Sequence, residues 1–395
     1  MKIATRVEQL AGEGAFEVLS RVEALQAQGK HIISFAIGEP DFDTEDRIKE
    51  AACQALRQGA THYTPSAGTR RFREAAARYI SRTRKVEVSP DCVIAAPGVK
   101  PLLFYSILTC VDEGDEVLLP SPGFPTYESL VRYAGGVPVR LPLREELDFS
   151  FSPREMEELV SPKTKMIILN SPHNPTGGVL EREALEAAAR ISRERDIWVL
   201  SDEVYSAMVY EGEYQSYFSL EDVRDRTILV EGFSKTWAMT GWRLGLAVVP
   251  QKLVSPFSRL IINSVSCTAA FTQEAGIAAL EGPRDYVEHM MKSYEKRRRL
   301  LTEGLQAIPG IRCSLPKGAF YVYANVTELC EKKNCPHAEA LQHKLLEEAG
   351  VAVLGRSCFG APYPGEKEEY LRFCYATSEE NLREGLRRIR EFASW

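Results

Sequence analysis

The sequence lacks several features that would assign it to a specialised class of protein. None of its apolar runs approaches the ~18–20 residues needed to cross a bilayer. Basic residues are not in excess, since 49 lysines and arginines stand against 55 aspartates and glutamates and give a net charge of −6. The first residues, MKIATRVEQLAGEGAF, carry acidic side chains and lack the apolar core of a signal peptide. We therefore expect neither a membrane span nor a surface for nucleic acid or acidic lipid.

A framework of paired cysteines is also missing. The nine cysteines are odd in number and scattered, which is typical of a protein from the reducing cytoplasm. The closest approach to a metal-binding pattern is formed by Cys330, Cys335 and His337, and no second pair of ligands follows at a suitable distance. The sequence therefore predicts a cytoplasmic protein without a metal ion.

What the sequence does contain is a regular alternation of strands and helices from Cys92 onward. The predicted strands are the apolar runs CVIAA, EVLLP, VPVRLP, KMIILN, IWVLSDE, TILVEG and GLAVV. Because continuous apolar strands separated by helices are typical of parallel sheets covered on both faces, we predict an α/β fold. No G-x-G-x-x-G follows any of these strands, which argues against a nicotinamide dehydrogenase, the usual interpretation of such alternation.

The regular alternation ends after a helical region at residues 267–307. The runs IRCSL, GAFYVYANV, VAVLG and YLRFCYA then alternate less regularly with helices, which favours a smaller α+β domain. A chain of this length is expected to form about two or three domains. We predict a large domain at residues 44–290 and a small domain formed by residues 1–43 and 291–395.

The stretch TILVEGFSKTWAMTGWR, at residues 227–243, carries the most chemistry. Its β-branched start predicts a buried strand, which delivers Lys235 into a turn of small and polar residues, with Arg243 eight residues later. Aromatic residues crowd this turn and argue against a solvated surface lysine. A buried amine loses its proton readily, and the unprotonated amine is the form that makes a Schiff base with a carbonyl. The stretch indicates amine–carbonyl chemistry beside a bound anion.

Polar residues follow other predicted strands too. In open parallel α/β sheets, ligands bind beyond the carboxyl ends of the strands. CVIAA is followed by Gly98, Val99 and Lys100, a glycine turn that opens a helix whose free N–H groups can hold a phosphate. The polar residues that follow KMIILN and IWVLS are Asn174, Asp202 and Tyr205.

Each of these residues also has a purely structural interpretation. Asn174 lies between Pro172 and Pro175 and could simply stabilise that loop. Asp202 could cap a following helix, which is the commoner role of an acidic residue directly after a buried strand. Together, however, they supply what pyridoxal phosphate requires: an amine, an acid for the ring nitrogen, donors for the ring oxygen and an anion site.

Four motifs carry a resemblance to a known family. SPHNPTGG, SDEVY, FSKTWAMTGWR and LRFCYATSEENL resemble the class I aminotransferases, in the branch of the bacterial aspartate aminotransferases. The likeness extends from IGEPDF to the last predicted helix. It implies fold type I of the pyridoxal phosphate enzymes: a large domain with a mainly parallel seven-stranded sheet between helices, plus a smaller α+β domain.

The resemblance implies a role for each matching residue. Lys235 would form the Schiff base with pyridoxal 5′-phosphate and then move the proton between Cα and C4′. Asp202 would pair with the pyridine nitrogen, and Phe124 would stack on the ring. The ring oxygen would be bound by Asn174, which also lies on the substrate side, and by Tyr205. The positions where the family binds phosphate are Gly98, Val99, Ser234 and Arg243, with Lys100 beside them.

Other matching residues concern the substrate and the partner subunit. Arg372 matches the arginine that binds the substrate α-carboxylate in a bidentate fashion, which lysine does poorly. Gly38 matches a glycine whose backbone touches the carboxylate side of the substrate. Tyr63 matches a tyrosine that reaches the phosphate of the neighbouring subunit, which implies a homodimer.

The sequence departs from the family at two places. The family often has a serine three residues before the lysine, and here Gly232 stands there, so we expect one phosphate contact to be missing or replaced. Lys100 occupies a position where some bacterial aspartate aminotransferases bind the distal carboxylate of the substrate. Those enzymes also use hydroxyl residues near the N-terminus, whereas this chain has the stretch Gly12, Glu13, Gly14, Ala15 and Phe16.

The expected activity is therefore transfer of an amino group from an amino acid to a 2-oxo acid by ping-pong kinetics. Aspartate or glutamate with 2-oxoglutarate leads as the substrate pair, and Phe16 leaves room for neutral or aromatic amino acids. The alternative is a lyase or decarboxylase that uses the same cofactor and fold. A non-enzymatic sensor with this fold would need an N-terminal DNA-binding segment. We do not expect one, because the aminotransferase-like pattern begins within about the first 35 residues and the net negative charge is unfavourable for binding DNA.

Overall fold

The structure is a computed structural model and describes residues 3–8, 10, 12 and 14–394. The strands are β1 (Ile33–Ser34), β2 (Val93–Ala96), β3 (Glu116–Ser121), β4 (Val137–Pro142), β5 (Thr164–Asn170), β6 (Trp198–Asp202), β7 (Thr227–Gly232), β8 (Gly245–Val248), β9 (Tyr321–Asn325), β10 (Val351–Ala352), β11 (Leu354–Gly355) and β12 (Tyr370–Cys374). The α-helices are α1 (Thr5–Glu8), α2 (Gly14–Ala27), α3 (Asp46–Arg57), α4 (Arg70–Arg84), α5 (Val99–Cys110), α6 (Pro125–Tyr133), α7 (Pro153–Leu159), α8 (Arg182–Arg195), α9 (Phe233–Thr236), α10 (Gln251–Ile262), α11 (Ala270–Glu281), α12 (Asp285–Gln306), α13 (Thr327–Lys332), α14 (Ala338–Glu348) and α15 (Glu379–Ser394).

The largest sheet has seven strands in the order β2-β8-β7-β6-β5-β3-β4. Strand β8 runs antiparallel to both its neighbours, β2 and β7, and all other adjacent strands of this sheet are parallel. The sheet is covered on both faces: along β5, Met166 and Ile168 belong to one core cluster, whereas Ile167 and Leu169 belong to another. This explains the continuous apolar strands and confirms the predicted fold class.

Two smaller sheets involve the C-terminal part of the chain. Strands β11, β12 and β9 form an antiparallel sheet, in which Arg372 lies opposite Tyr323. The N-terminal strand β1 pairs in parallel with β10, so the beginning of the chain is attached to its C-terminal part. Helix α12 runs without a break through residue 290, where the large domain was predicted to end. The division into two domains stays a prediction.

Two local predictions differ from the structure. The run IRCSL was predicted to form a strand of the C-terminal part, but it makes only an isolated bridge between Arg312 and Asn325. It is followed directly by Pro316, which cannot donate a ladder hydrogen bond. Helix α10 was not predicted, and it contains Pro256, which weakens a helical pattern in the sequence. Within the described parts of the chain, no helix is both long and apolar enough to cross a membrane.

Candidate active site

A cavity of about 530 Å³ lies where the carboxyl ends of β5, β6 and β7 meet the start of α5. The predicted site residues that line it are Gly38, Val99, Lys100, Phe124, Asn174, Asp202, Tyr205, Ser234, Lys235, Arg243 and Arg372. Their convergence follows from the rule that ligands bind beyond the carboxyl ends of parallel strands. Gly98 lies directly behind this wall, against Arg243.

Lys235 lies in the single turn of α9, immediately after β7. Its amine donates a hydrogen bond to the carbonyl oxygen of Gly38, and Nζ lies 5.7 Å from the ring centroid of Phe320. Burial lowers the pKa of the Lys235 amine to about 8, although the charge of Glu39 opposes this shift. An amine with such a pKa is partly unprotonated near neutral pH and is a competent nucleophile and base.

Asp202 is the last residue of β6 and its side chain is buried. Its carboxylate accepts hydrogen bonds from the Tyr127 hydroxyl at 2.6 Å and from the Val204 backbone N–H at 3.3 Å. Burial raises the pKa of Asp202 to about 6, whereas these two hydrogen bonds lower it. The following residues form a turn at 204–207 instead of a helix, so the helix-capping interpretation is wrong.

The buried Asp202 carboxylate has no ion-pair partner among the residues that the structure describes. A buried carboxylate is costly unless a positive group or sufficient donors compensate it. The protonated nitrogen of a pyridine ring would supply that positive group at the wall of the cavity. This arrangement fits pyridoxal phosphate.

Two side chains on the same wall could bind a ring oxygen. Asn174 accepts a hydrogen bond at Oδ1 from Arg372 Nη1 at 2.8 Å, which leaves its Nδ2 group as a donor. The Tyr205 hydroxyl lies 2.7 Å from the Tyr321 hydroxyl, and burial raises the pKa of Tyr205 well above its ordinary value. Tyr205 therefore stays a neutral hydrogen-bonding phenol at physiological pH.

The start of α5 forms a cradle suited to an anion. Gly98 is the N-cap of this helix at φ +97, so no side chain satisfies the N–H groups of the first turn from that position. A Cβ atom at Gly98 would lie 2.5 Å from Arg243 Nη2, so only glycine leaves room for this guanidinium. Ser234 completes the lining on this side. A helix N-terminus beside an arginine suits a phosphate group.

At Gly232, where we expect one phosphate contact to be missing or replaced, a side chain would be crowded. A Cβ atom there would lie 2.7 Å from Val99 Cγ2 and 2.8 Å from Val204 Cγ2. The space that the Cβ of a serine would need is thus filled by methyl groups of Val99 and Val204.

Arg372 reaches the opposite side of the cavity from β12. Its guanidinium donates hydrogen bonds to Asn174 Oδ1 and to the carbonyl oxygen of Ala36. It lies 4.4 Å from the ring centroid of Tyr321 and 5.0 Å from that of Phe359. Its buried Nε atom has no hydrogen-bond partner in the described part of the chain. A buried guanidinium with an unused donor is suited to bind a carboxylate.

The far end of the cavity combines a cation with aromatic rings. Lys100 Nζ lies 5.5 Å from the ring centroid of Phe124 and 5.8 Å from that of Phe16. Phe16 belongs to α2 and is 58% exposed, whereas Glu13 lies outside the described residues. Gly38 closes the near end, and a Cβ atom there would overlap the Tyr321 hydroxyl.

Tyr63 does not reach this cavity. It lies in the loop between α3 and α4 and is 87% exposed. The next residue, Thr64, accepts a hydrogen bond from Gln273 and donates its backbone N–H to Cys267 Sγ. The loop therefore lies beside Cys267 and Thr268 on the surface of the molecule.

Three polar residues of the site were not predicted from the sequence. Tyr127 is the hydrogen-bond donor to Asp202, and Asn170 joins two site segments by bonding the Asp202 carbonyl oxygen and the Asn174 N–H. Tyr321 contacts both Tyr205 and Arg372. Asn170 ends β5 and could have been found by the strand-end rule, whereas Tyr321 comes from the C-terminal sheet, which that rule does not cover.

The cysteine and histidine residues considered for metal binding lie away from the cavity. His337 is the N-cap of α14, and its Nδ1 accepts from the Ala340 N–H at 3.3 Å. Among the described residues, no group of three or more histidine, cysteine, aspartate or glutamate side chains is arranged to hold a metal ion.

Comparison with known proteins gives a consistent result. Residues 30–389 match the family model for aminotransferases of class I and II. The chain is 41% identical over 393 residues to a probable aspartate/prephenate aminotransferase of Aquifex aeolicus, with 98% of each chain covered. It is 38% identical over 389 residues to an aspartate aminotransferase of Pyrococcus horikoshii, covering 98% of this chain and 96% of the relative. The structure of an aspartate aminotransferase from Thermus thermophilus with maleate superposes with a TM-score of 0.93 at 36% identity, over 99% of both chains.

Proposed function

Because this chain belongs to the aminotransferases of class I and II, we propose that Arg372 binds the α-carboxylate of its amino acid while Lys235 moves the proton of its Cα. The protein is a pyridoxal 5′-phosphate-dependent amino-acid aminotransferase. The lyase or decarboxylase alternative is not favoured by the names of its relatives. The roles of the individual residues and the identity of the substrate are the subject of the proposals below.

The single observation that carries the proposal is the placement of Arg372 and Lys235 on one cavity. Arg372 offers an unused Nε donor, and Lys235 offers an amine whose pKa is about 8. An amino acid held by its carboxylate at Arg372 presents its amino group and Cα to the neighbouring side of the same cavity. Lys235 can then take the proton from Cα as a base and return it as an acid.

When bound, pyridoxal phosphate supplies an electron sink for the bond that breaks at Cα. Asp202 would hold the ring nitrogen in its protonated form, and Tyr127 would orient that carboxylate through the bond at 2.6 Å. Gly98, Val99, Ser234 and Arg243 would hold the phosphate, and Lys100 would lie beside them. Phe124 would cover the ring and exclude water from one face.

We further propose that the amino donor is a dicarboxylic amino acid, with aspartate as the first choice and 2-oxoglutarate as the acceptor. Support comes from Lys100, which lines the cavity and whose ammonium nitrogen lies 5.5 Å from the ring centroid of Phe124 and 5.8 Å from that of Phe16. A distal carboxylate would be drawn to this cation. The rings of Phe16 and Phe124 also leave an apolar surface that suits the side chain of an aromatic amino acid.

The half-reaction with single amino acids tests both proposals. Each amino acid is added to the purified holoenzyme without an acceptor, and the visible absorbance of the cofactor is followed. Aspartate is expected to convert it to the aminated form at a lower concentration than alanine. Lys100→Met should raise the concentration of aspartate needed for this conversion and leave that of alanine nearly unchanged. Release of ammonia with a persistent absorbance band would overturn the aminotransfer assignment, and equal use of aspartate by Lys100→Met would overturn the role of Lys100.

A homodimer with a shared site is the remaining proposal. Tyr63 is exposed, its neighbour Thr64 bonds Cys267 and Thr268, and Ile262 and Val265 are exposed a few positions before these two residues. An exposed apolar patch of this kind suits an interface with a second copy. The predicted cytoplasmic location also stays a prediction.

Mixed subunits test the shared site. Tyr63→Ala and Lys235→Ala chains, each impaired alone, are co-expressed with different tags, and the mixed dimer is isolated. One of its two sites then combines an intact Lys235 with an intact Tyr63 from the other chain. Recovery of activity in the mixed dimer is expected, and a monomer in light scattering, or no recovery, would contradict the proposal.

A further inference from the structure

Arg356 lies outside the cavity, and its buried side chain uses all of its hydrogen-bond donors on groups near the cavity. It occupies the 3₁₀ turn Arg356–Phe359, directly after β11, and is 5% exposed. Its Nε and Nη2 atoms bond the two carboxylate oxygens of Glu366 at 2.9 and 2.7 Å. The pair is bidentate, and both side chains are nearly inaccessible.

The remaining donors of Arg356 hold backbone and side-chain groups of two separate segments. Nη1 donates to the carbonyl oxygens of Phe359 at 3.3 Å and Gly360 at 2.9 Å. Nη2 also donates to Ser121 Oγ, at the end of β3, at 3.0 Å. A guanidinium has five N–H donors, and each finds an acceptor here.

The turn that Arg356 holds is part of the substrate wall. Cys358 and Phe359 both line the cavity, and the Phe359 ring lies 5.0 Å from the Arg372 guanidinium. The Phe359 carbonyl oxygen also accepts the N–H of Gly123 at 3.0 Å, and the Ser121 hydroxyl donates to the Ala361 carbonyl at 3.1 Å. Residues 357–361 are thus fixed against the end of β3 by contacts that converge on Arg356.

Stability alone does not account for this pair. Burying two charges costs several kcal/mol per ion in general, and well-packed apolar side chains of similar volume often serve stability as well or better. What apolar side chains cannot supply is five directed donors that fix a turn in one place. Lysine has three donors and no planar fork, so it cannot reproduce the set either.

We propose that Arg356 is a positioning residue for amino-acid binding, which holds Phe359 beneath the guanidinium of Arg372. The inference rests on the proposed role of Arg372. Loss of Arg356 lets the 357–361 turn move, and Arg372 loses one of the two rings that fix its plane. A displacement of a binding group by about 1 Å can lower the fraction of substrate held in the reactive orientation by about 100-fold.

The test compares holoenzyme variants in cofactor absorbance, in KM and kcat for the amino donor, and in thermal unfolding. Arg356→Lys is expected to raise KM by about 10- to 100-fold with a smaller change in kcat and an unchanged cofactor spectrum. Arg298→Lys is the matched control, because Arg298 is fully buried and bonds Glu211, outside the cavity. It should lower stability without raising KM.

A double replacement separates positioning from stability. Arg356→Met with Glu366→Leu removes both charges together and should recover thermal stability, while KM stays raised. Recovery of the wild-type KM in this double variant would overturn the proposal, as would an unchanged KM in Arg356→Lys. If Arg356→Lys does not fold, the double variant alone carries the comparison, because it removes the guanidinium that bonds Phe359, Gly360 and Ser121 without leaving a buried charge unpaired.

Phe359→Leu connects the effect to its cause. If Arg356 acts through Phe359, adding Arg356→Lys to Phe359→Leu should raise KM no further, whereas independent effects would add. Arg372→Met is measured in parallel. If it left KM unchanged, the proposed role of Arg372 itself would fail, and this is distinguishable from a failure at Arg356 alone.

Discussion

The two sides of the cavity are built in different ways. The side to which we assign the cofactor consists of strand ends and the turns that follow them: Asp202 ends β6, Gly232 ends β7, and Lys235 follows three residues later. The substrate side is assembled from distant parts of the chain, as in the bond from Arg372 to the Ala36 carbonyl across 336 positions. Helix α2 adds Phe16, and the turn after β11 adds Phe359.

The difference teaches where variation can occur without loss of chemistry. Groups at the ends of buried strands are fixed by the sheet, so the cofactor side depends on the core. The substrate side depends on a few long-range contacts on top of that core. We therefore expect changes on the cofactor side to abolish turnover, and changes on the substrate side to alter which amino acid binds and how tightly.

The largest effect is expected from Lys235→Ala. In the proposed mechanism it removes both the amine that bonds the cofactor and the base that moves the Cα proton, so kcat should fall by more than about 10⁴-fold. Steady-state transamination of the purified variant measures it. Lys235→Arg is the control that keeps the charge but not the chemistry, and it should be equally inactive. Substantial turnover in either variant would remove Lys235 from the mechanism.

Arg372→Met should affect the substrate side alone. Loss of charged hydrogen bonds to a carboxylate, at about 1.5–3 kcal/mol each, should lower kcat/KM for amino donor and oxo acid by about 10²–10³-fold. Cofactor binding should change far less than substrate binding, because Arg372 bonds Asn174 on the ring side but, among the described residues, none of those of the phosphate cradle. Titration of cofactor absorbance and of substrate, side by side, checks this. Weaker cofactor binding with an unchanged KM would reverse the proposed division of the cavity.

Sequence reasoning was accordingly more successful on one side than on the other. The strand-end rule placed Asn174, Asp202 and Lys235 on one cavity, since local periodicity reveals buried strands and hence their ends. It could not place Phe359 or Arg356, whose neighbours are set by how the C-terminal sheet packs on β3. Arg372 came from the resemblance to the family rather than from any local pattern.

The amine of Lys235 should also make the cofactor-free protein sensitive to pH. Burial lowers its pKa in the folded chain to about 8, whereas in the unfolded chain it is near the ordinary value of 10.5. Between these values the unfolded chain binds more protons, so the contribution of this group to stability rises with pH through that window and is unfavourable below it. Lys235→Met removes the titration.

The cofactor-free variant should therefore be more stable than the wild type at pH 7 by no more than about 3 kcal/mol. The gap should narrow as the pH approaches 10.5. Urea unfolding at pH 7 and pH 10 measures the difference between the two proteins, in which the other titrating groups cancel. A gap that stayed constant with pH would show that the amine titrates normally in the folded chain.

The smallest effect is expected from Gly232→Ser, which restores the residue common at this position in the family. The new side chain would meet methyl groups of Val99 and Val204, so we expect it to lower stability by about 1–3 kcal/mol without tightening cofactor binding. Gly241→Ser is the control, because a Cβ atom there meets nothing within 4 Å. Adding Val204→Ala should relieve the crowding and let the serine hydroxyl reach the phosphate side. Denaturant unfolding measures the stability, and cofactor titration measures the binding. Tighter cofactor binding by Gly232→Ser alone would contradict the prediction. It would mean that the two valine side chains move easily and that this part of the cavity wall is less rigid than its burial implies.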